Sequence, residues 1–149
     1  MPVAAVNGIE IYFEVHGSGA PLLDISGSGN DLRRSPTSIL PVNRSFETLS
    51  YDQRGLGQTS MPDGDFTMAD CADDAAALVR SMGCERCHVM ATSFGGMVAL
   101  NLAVRHPGLI DLLVLCCTSP GGEAASYPLE ELGRMDPDEA IIGFLGAGS

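Results

Sequence analysis

The chain has 149 residues, 45% of them apolar, which suffices for one domain with a real core and excludes disorder as the default state. Aromatic residues are few and tryptophan is absent, so the expected core is aliphatic. With 19 acidic against 8 basic residues the formal charge is −11, which repels a phosphate backbone or an anionic bilayer and excludes nucleic acid and membrane as partners.

Val3 to Val6 and Ile9 to Val15 flank Asn7-Gly8, the two-residue turn that most strongly signals a β-hairpin. Pro21 to Ser26 and Phe46 to Tyr51 read as further short strands, each running into glycine-rich sequence, GSGND and DQRGLG. Thr67 opens a helix, with Asp70 three residues on completing a near capping box. Met68, Ala72, Ala75, Leu78, Val79 and Met82 recur along it at helical spacing, which leaves Asp70, Asp73 and Asp74 for the other face. Gly83 ends that helix. His88 to Thr92 is the next strand, Phe94 to Arg105 a helix stopped before Pro107, and Ile110 to Cys117 an apolar strand. The second helix is apolar almost all round, which suits burial at the middle of a sheet. Past Cys117 the pattern changes: Pro120-Gly-Gly is a turn, Leu129 to Met135 a short helix, and Asp136-Pro-Asp-Glu139 the start of a last one. A hairpin followed by strands alternating with helices implies an α/β fold, mostly parallel, with helices on both faces. Residues 1–118 form one continuous core, and residues 119–149 begin an excursion.

The N-terminus, MPVAAVNGIE, has no basic lead-in and its apolar run stops at Asn7, unlike a secretory leader. Even GLIDLLVLCC is broken by Asp111, so no segment reaches the length of a membrane span. The expected compartment is the cytoplasm, where the five cysteines stay reduced, and an odd count argues against a closed disulfide framework.

Two chemical devices compete in CERCHVMATSFGG, Cys84 to Gly96. Its first residues spell the haem-attachment pattern C-x-x-C-H, and Ala91 to Gly95 reads small-x-Ser-x-Gly, close to a nucleophile elbow. Haem attachment needs an accessible His88 and export, whereas His88 opens a strand that should be buried. A redox C-x-x-C pair belongs at a helix N-terminus, and this one follows a helix end, so both cysteines read as small apolar fillers. The elbow requires strand, sharp turn and helix in that order, and HVMAT, Ser93 and GGMVALNLAV supply them. Gly27-Ser-Gly29 completes neither nucleotide-binding pattern, and Gly55 and Gly57 read as turn glycines, so no organic cofactor and no metal is indicated.

In order, NGIEIYFEVHGSGAPLL, YDQRGLGQTS, SMGCERCHV, ATSFGG and AVRHPGLIDLLVL resemble the N-terminal half of an α/β-hydrolase fold protein, from Val3 to about Ser119. That resemblance implies Ser93 as nucleophile and the backbone N–H of Phe94 as one oxyanion donor. The family's His-Gly pair before the second donor reads Ser26-Gly27 here, which makes Ser28 that donor. Asp24 stands where the family has an apolar strand residue, and a buried carboxylate there needs either hydrogen bonds or a raised pKa, in a structural or a functional role.

A serine nucleophile needs a histidine base and an acid to orient it. His106 lies thirteen residues along the helix from Ser93, about 20 Å away at 1.5 Å per residue. His88 is five strand residues upstream, roughly 16 Å off, and His16 sits at the far end of its strand, a similar distance away. None is within reach, and all three take structural roles. Glu123, after the sixth strand, is a candidate acid by the resemblance, although the end of a further strand is the commoner place. The expectation is a truncated hydrolase of small carboxylic esters or lactones, acting through a Ser93 acyl-enzyme and inactive alone for want of its histidine. Dehalogenation is disfavoured, since that branch uses an aspartate nucleophile. The alternative is a non-catalytic fragment or binding module that self-associates through an exposed sheet edge at Leu112 to Cys117.

Overall fold

The computed structural model describes residues 2–121 and 134. The chain divides into two compact units, Met1–Thr118 and Ser119–Ser149. The first carries every regular element described below. In the second, Gly121 N–H donates to Ser119 Oγ at 3.3 Å. The short helices expected beyond Leu129, and Glu123, lie outside the described residues.

Strands β1 (Val3–Val6) and β2 (Ile9–Gly17) form the expected hairpin. Its turn has φ of 49° at Asn7 and 77° at Gly8, the double left-handed geometry that lets a two-residue loop match strand twist. Strand β3 (Ala20–Ile25) is followed by a segment with two short 3₁₀ turns, Thr37–Ile39 and Pro41–Arg44, before β4 (Phe46–Tyr51). Helix α1 (Met68–Ser81), β5 (Cys87–Thr92), α2 (Phe94–Arg105) and β6 (Ile110–Cys116) complete the unit. The sheet order is β1-β2-β4-β3-β5-β6. Pairings are antiparallel from β1 through β4 and parallel from β4 to β6.

Helix α1 starts where the sequence places it. Asp70 N–H donates to Thr67 Oγ1 at 3.3 Å while Thr67 N–H donates to Asp70 Oδ2 at 2.7 Å, so both halves of the capping box are closed. Gly83, with φ of 75°, ends the helix in the left-handed region that glycine tolerates.

One core holds Leu23, Ile25, Tyr51, Val89 and Ala91 from the strands together with Cys71, Ala75 and Leu78 of α1 and Val98 and Leu102 of α2. These strand residues all have one parity, so α1 and α2 pack side by side on the same face of the sheet. Among the described residues the other face carries no helix, and the 3₁₀-bearing segment after β3 takes that side. Two prolines, Pro36 and Pro41, interrupt the helical continuation there. The second face is polar in register: Glu14, Ser50, Asp24 and Met90 stand in one cross-strand row, and His16, Thr48, Leu22 and His88 in the next.

Two expectations need correction. Asp74 does not belong to the solvent face of α1: it is 1% exposed, because Arg54 reaches it from the loop after β4. Helix α2 is not buried all round either, since Val104 is 84% exposed and only Gly95, Gly96, Val98, Ala99 and Leu102 are buried. Its apolar composition exceeds what a two-helix face can cover.

Candidate active site

Strand β5 ends at Thr92 and α2 begins at Phe94, which leaves Ser93 alone to make the bend. Its φ of 53° with ψ of −119° is a conformation a side-chain-bearing residue adopts only when its surroundings enforce it, at a cost of about 1–3 kcal/mol. The enforcement is visible. Ser93 N–H donates to Cys116 O at 2.9 Å, and Ser93 O accepts both Gly96 N–H at 2.9 Å and Thr118 Oγ1 at 2.7 Å. Gly95 has no room for a side chain, because a Cβ there would collide with the carbonyl oxygens of Ile25 and Ser26. The side chain of Ser93 is exposed.

Gly27 brings the turn after β3 against this bend, since a Cβ at Gly27 would lie 3.4 Å from Ser93 Cβ. Ser28 and Phe94 line one pocket of about 160 Å³, together with Gln53, Leu56, Phe66 and Cys71. Phe94 is the first residue of α2, so its N–H has no intrahelical acceptor. The two residues expected to supply oxyanion donors therefore line one pocket.

The turn that carries Ser28 is held from the loop after β4 by two residues the sequence reading passed over. Gln53 Nε2 donates to Ser26 O at 2.7 Å, and Asp52 Oδ1 accepts Leu32 N–H at 2.8 Å. Asp52 is fully buried and its Oδ2 also accepts Gln58 N–H at 2.8 Å. The signal for this latch was Gly57, read as a turn residue: a Cβ there would collide with the Asp52 carboxylate, so the turn and the latch are one feature.

The histidines make their contacts with other residues, and the buried Nδ1 of His88 has no hydrogen-bond partner among the described residues. His16 Nε2 meets Glu14 at 2.9 Å, His88 stacks edge-on against Phe46 at 5.7 Å, and His106 Nε2 meets Asp73 at 2.7 Å. Cys87 is buried in the core, where burial pushes its thiol up to about 12, and Cys84 Sγ donates to Arg86 O. These two cysteines act as fillers at the start of β5. Among the described residues no group of three His, Cys, Asp or Glu is placed to hold a metal ion, and no helix is long and apolar enough to cross a membrane.

Asp73 supplies a test of the ion pairs at that end of α2. Hydrogen bonds from Arg105 and His106 lower its carboxyl to about 2, below the ordinary 3.8. Because the folded-state value is depressed, this stabilisation is present above pH 3.8 and is lost as pH falls toward 2. Asp73→Asn should therefore lower the urea midpoint above pH 5, where the carboxylate is fully paired, and flatten its acid limb, so that variant and parent converge toward pH 2. An unchanged slope between pH 4 and 2 would mean solvent screens the pair completely.

A family model of the alpha/beta hydrolase fold matches residues 17–136, which is most of the chain. The chain belongs to the alpha/beta hydrolase fold family. Within that family it is 34% identical over 110 residues to the Yersinia enterocolitica protein named "Putative carbamate hydrolase RutD", an alignment covering 70% of this chain and 39% of that protein. Among solved structures it is similar to the enol-lactonase from Burkholderia xenovorans LB400, with TM-score 0.73, 30% identity, and coverage of 79% of this chain and 47% of the other. It is also similar to a hydrolase from Pseudomonas aeruginosa PA01, with TM-score 0.77, 31% identity, and coverage of 97% of this chain and 57% of the other. The chain thus spans between 39% and 57% of the length of these relatives.

Proposed function

We propose that the chain is part of a serine hydrolase acting on small carboxylic esters or lactones, with Ser93 as the nucleophile. The strained, exposed bend at Ser93 carries this reading, since that conformation costs energy and lifts the hydroxyl clear of both the strand and the helix. Ser93 Oγ attacks the substrate carbonyl and gives its proton to a base. The Phe94 and Ser28 N–H groups stabilise the oxyanion, the leaving alcohol departs with a proton, and water then releases the acid. The names of the relatives agree with acyl-group hydrolysis and extend the substrate class to carbamates.

In this reading the base is a histidine from outside these 149 residues, since His16 and His106 are bound by Glu14 and Asp73 and His88 lies edge-on to Phe46. The chain alone is therefore a nucleophile with an oxyanion hole and little turnover. Glu123 keeps its place as a candidate acid by resemblance only. The cytoplasm remains the proposed compartment, and no metal or organic cofactor enters this chemistry.

Added imidazole tests the reading, because it stands in for the absent base. A fluorophosphonate should phosphonylate Ser93 slowly in the isolated chain and at least tenfold faster with imidazole, read by peptide mass spectrometry, while Ser93→Ala stays unlabelled. A Ser93 that stays unlabelled with imidazole present defeats the reading.

The second reading is a non-catalytic module. The observation in its favour is β6, where Leu112 is 66%, Val114 55% and Leu115 38% exposed on an edge strand. It predicts concentration-dependent oligomers together with an unreactive Ser93.

A further inference from the structure

Asp24 is the carboxylate that neither the fold nor the serine chemistry uses. It projects from β3 on the face away from α1 and α2, in register with Ser50 and Met90. Ser50 Oγ donates to its Oδ2 at 3.1 Å, and among the described residues this is its one hydrogen bond, with no cation paired to it. A largely buried carboxylate held by a single hydroxyl is energetically exposed, and burial raises its pKa accordingly.

Beside it lies a cavity of about 270 Å³ between the sheet and the segment after β3. Gly27 and Thr92 line one part, next to the Ser93 bend, and Asp24 with Ser50 lines another. Leu32, Pro36 and Leu40 give the cavity apolar walls. Among the described residues its only other carboxylate, Asp31, is already held by Arg33 Nε at 3.0 Å and Nη2 at 3.0 Å, and none of the lining residues is Lys or Arg. The remaining charged groups on this face are accounted for: Glu14 is bound by His16, Tyr12 and Thr37, and His88 lies one register row below.

We propose that this cavity is a binding site for a small alkylammonium group, its amine held by Asp24 and Ser50 and its aliphatic stem by Leu32, Pro36 and Leu40. The charge balance selects the ligand. One uncompensated carboxylate in a cavity without cations favours a positively charged hydrogen-bond donor over an alcohol and repels a carboxylate. This cavity and the pocket lined by Ser28 and Phe94 share no residue, so the amine site stands apart from the reading of Ser93 as nucleophile.

Hexylammonium, 1-hexanol and hexanoate are matched in shape and test the charge alone. Amide shifts of Leu32, Ser50 and Thr92 in the isolated chain should report hexylammonium binding at least tenfold tighter than hexanol, with hexanoate weaker still. Asp24→Asn should erase the tenfold preference, and Ser50→Ala should reduce it. Because the cation pairs with ionised Asp24, the preference in the unmodified protein should grow as pH rises from 4 to 7, a readout that needs no variant. Equal affinity for amine and alcohol at pH 7, or a preference that survives Asp24→Asn, overturns the proposal. The imidazole-assisted labelling of Ser93 should be unchanged by Asp24→Asn. Lost labelling with intact amine selectivity removes the hydrolase reading alone, and intact labelling without selectivity removes this one alone.

Discussion

Asp74→Ala should destabilise the chain by about 3–5 kcal/mol, the range measured when one partner of a buried ion pair is removed. The size follows from what is left behind. Arg54 Nε and Nη2 donate to the two Asp74 oxygens at 2.7 and 2.9 Å, and their side chains are 10% and 2% exposed. Asn7 Nδ2 adds a third donor at 3.1 Å, and the guanidinium lies 5.7 Å from the centre of the Phe66 ring. Truncation leaves a cation whose side chain is only one-tenth exposed without its carboxylate. Removing both charges, as Arg54→Met with Asp74→Leu, should cost less than the single change, because the desolvation penalty goes with them. Urea unfolding monitored by circular dichroism measures both. A loss of under 1 kcal/mol for Asp74→Ala would mean that Arg54 escapes to solvent and that the pair contributes little.

Gly95→Val is the second large expected loss, about 3 kcal/mol at the upper end of overpacking, and it reaches the chemistry as well. The obstruction at Gly95 is main chain, the carbonyls of Ile25 and Ser26, which cannot swing aside as a flexible side chain would. Helix α2 and β3 must separate, and Ser93 then moves relative to the turn bearing Ser28. Imidazole-assisted phosphonylation should fall along with stability. Gly108→Ala is the matched control, since no atom lies within 4 Å of its Cβ position, and it should stay within about 0.5 kcal/mol of the parent. Equal effects of the two substitutions would mean that the helix and strand are not in contact as described.

Much of the fold was legible because the deciding signals are local. Asn7-Gly8 sets its turn, Thr67 with Asp70 closes its cap, and Phe94 to Arg105 matches the observed helix to the residue. The bend at Ser93 was legible for a related reason, as strand, small residues and helix are consecutive. What escaped depends on partners distant in sequence. The inward turn of Asp74 follows from Arg54, twenty residues away, and a helical wheel carries no trace of it. The latch of Asp52 and Gln53 on the oxyanion turn is likewise a loop-to-loop contact. Asp24 announced itself as an interruption of apolar sequence, yet its partner Ser50 could be found only once the parallel register of β3 and β4 was known. Within the described residues the segment between β3 and β4 forms two 3₁₀ turns, each opening at a proline, Pro36 or Pro41, that no strand or helix pattern had marked.

The Asn7-Gly8 turn also places a chemical clock in the protein. Glycine offers no side chain to hinder its own nitrogen from attacking the preceding amide, so this dipeptide is prone to cyclise to a succinimide and shed ammonia. The amide at risk is the one that donates to Asp74. Its replacement by a carboxylate turns a donor into a like charge beside an anion already matched by Arg54, so the oldest molecules in any preparation would be the first to loosen the hairpin from α1.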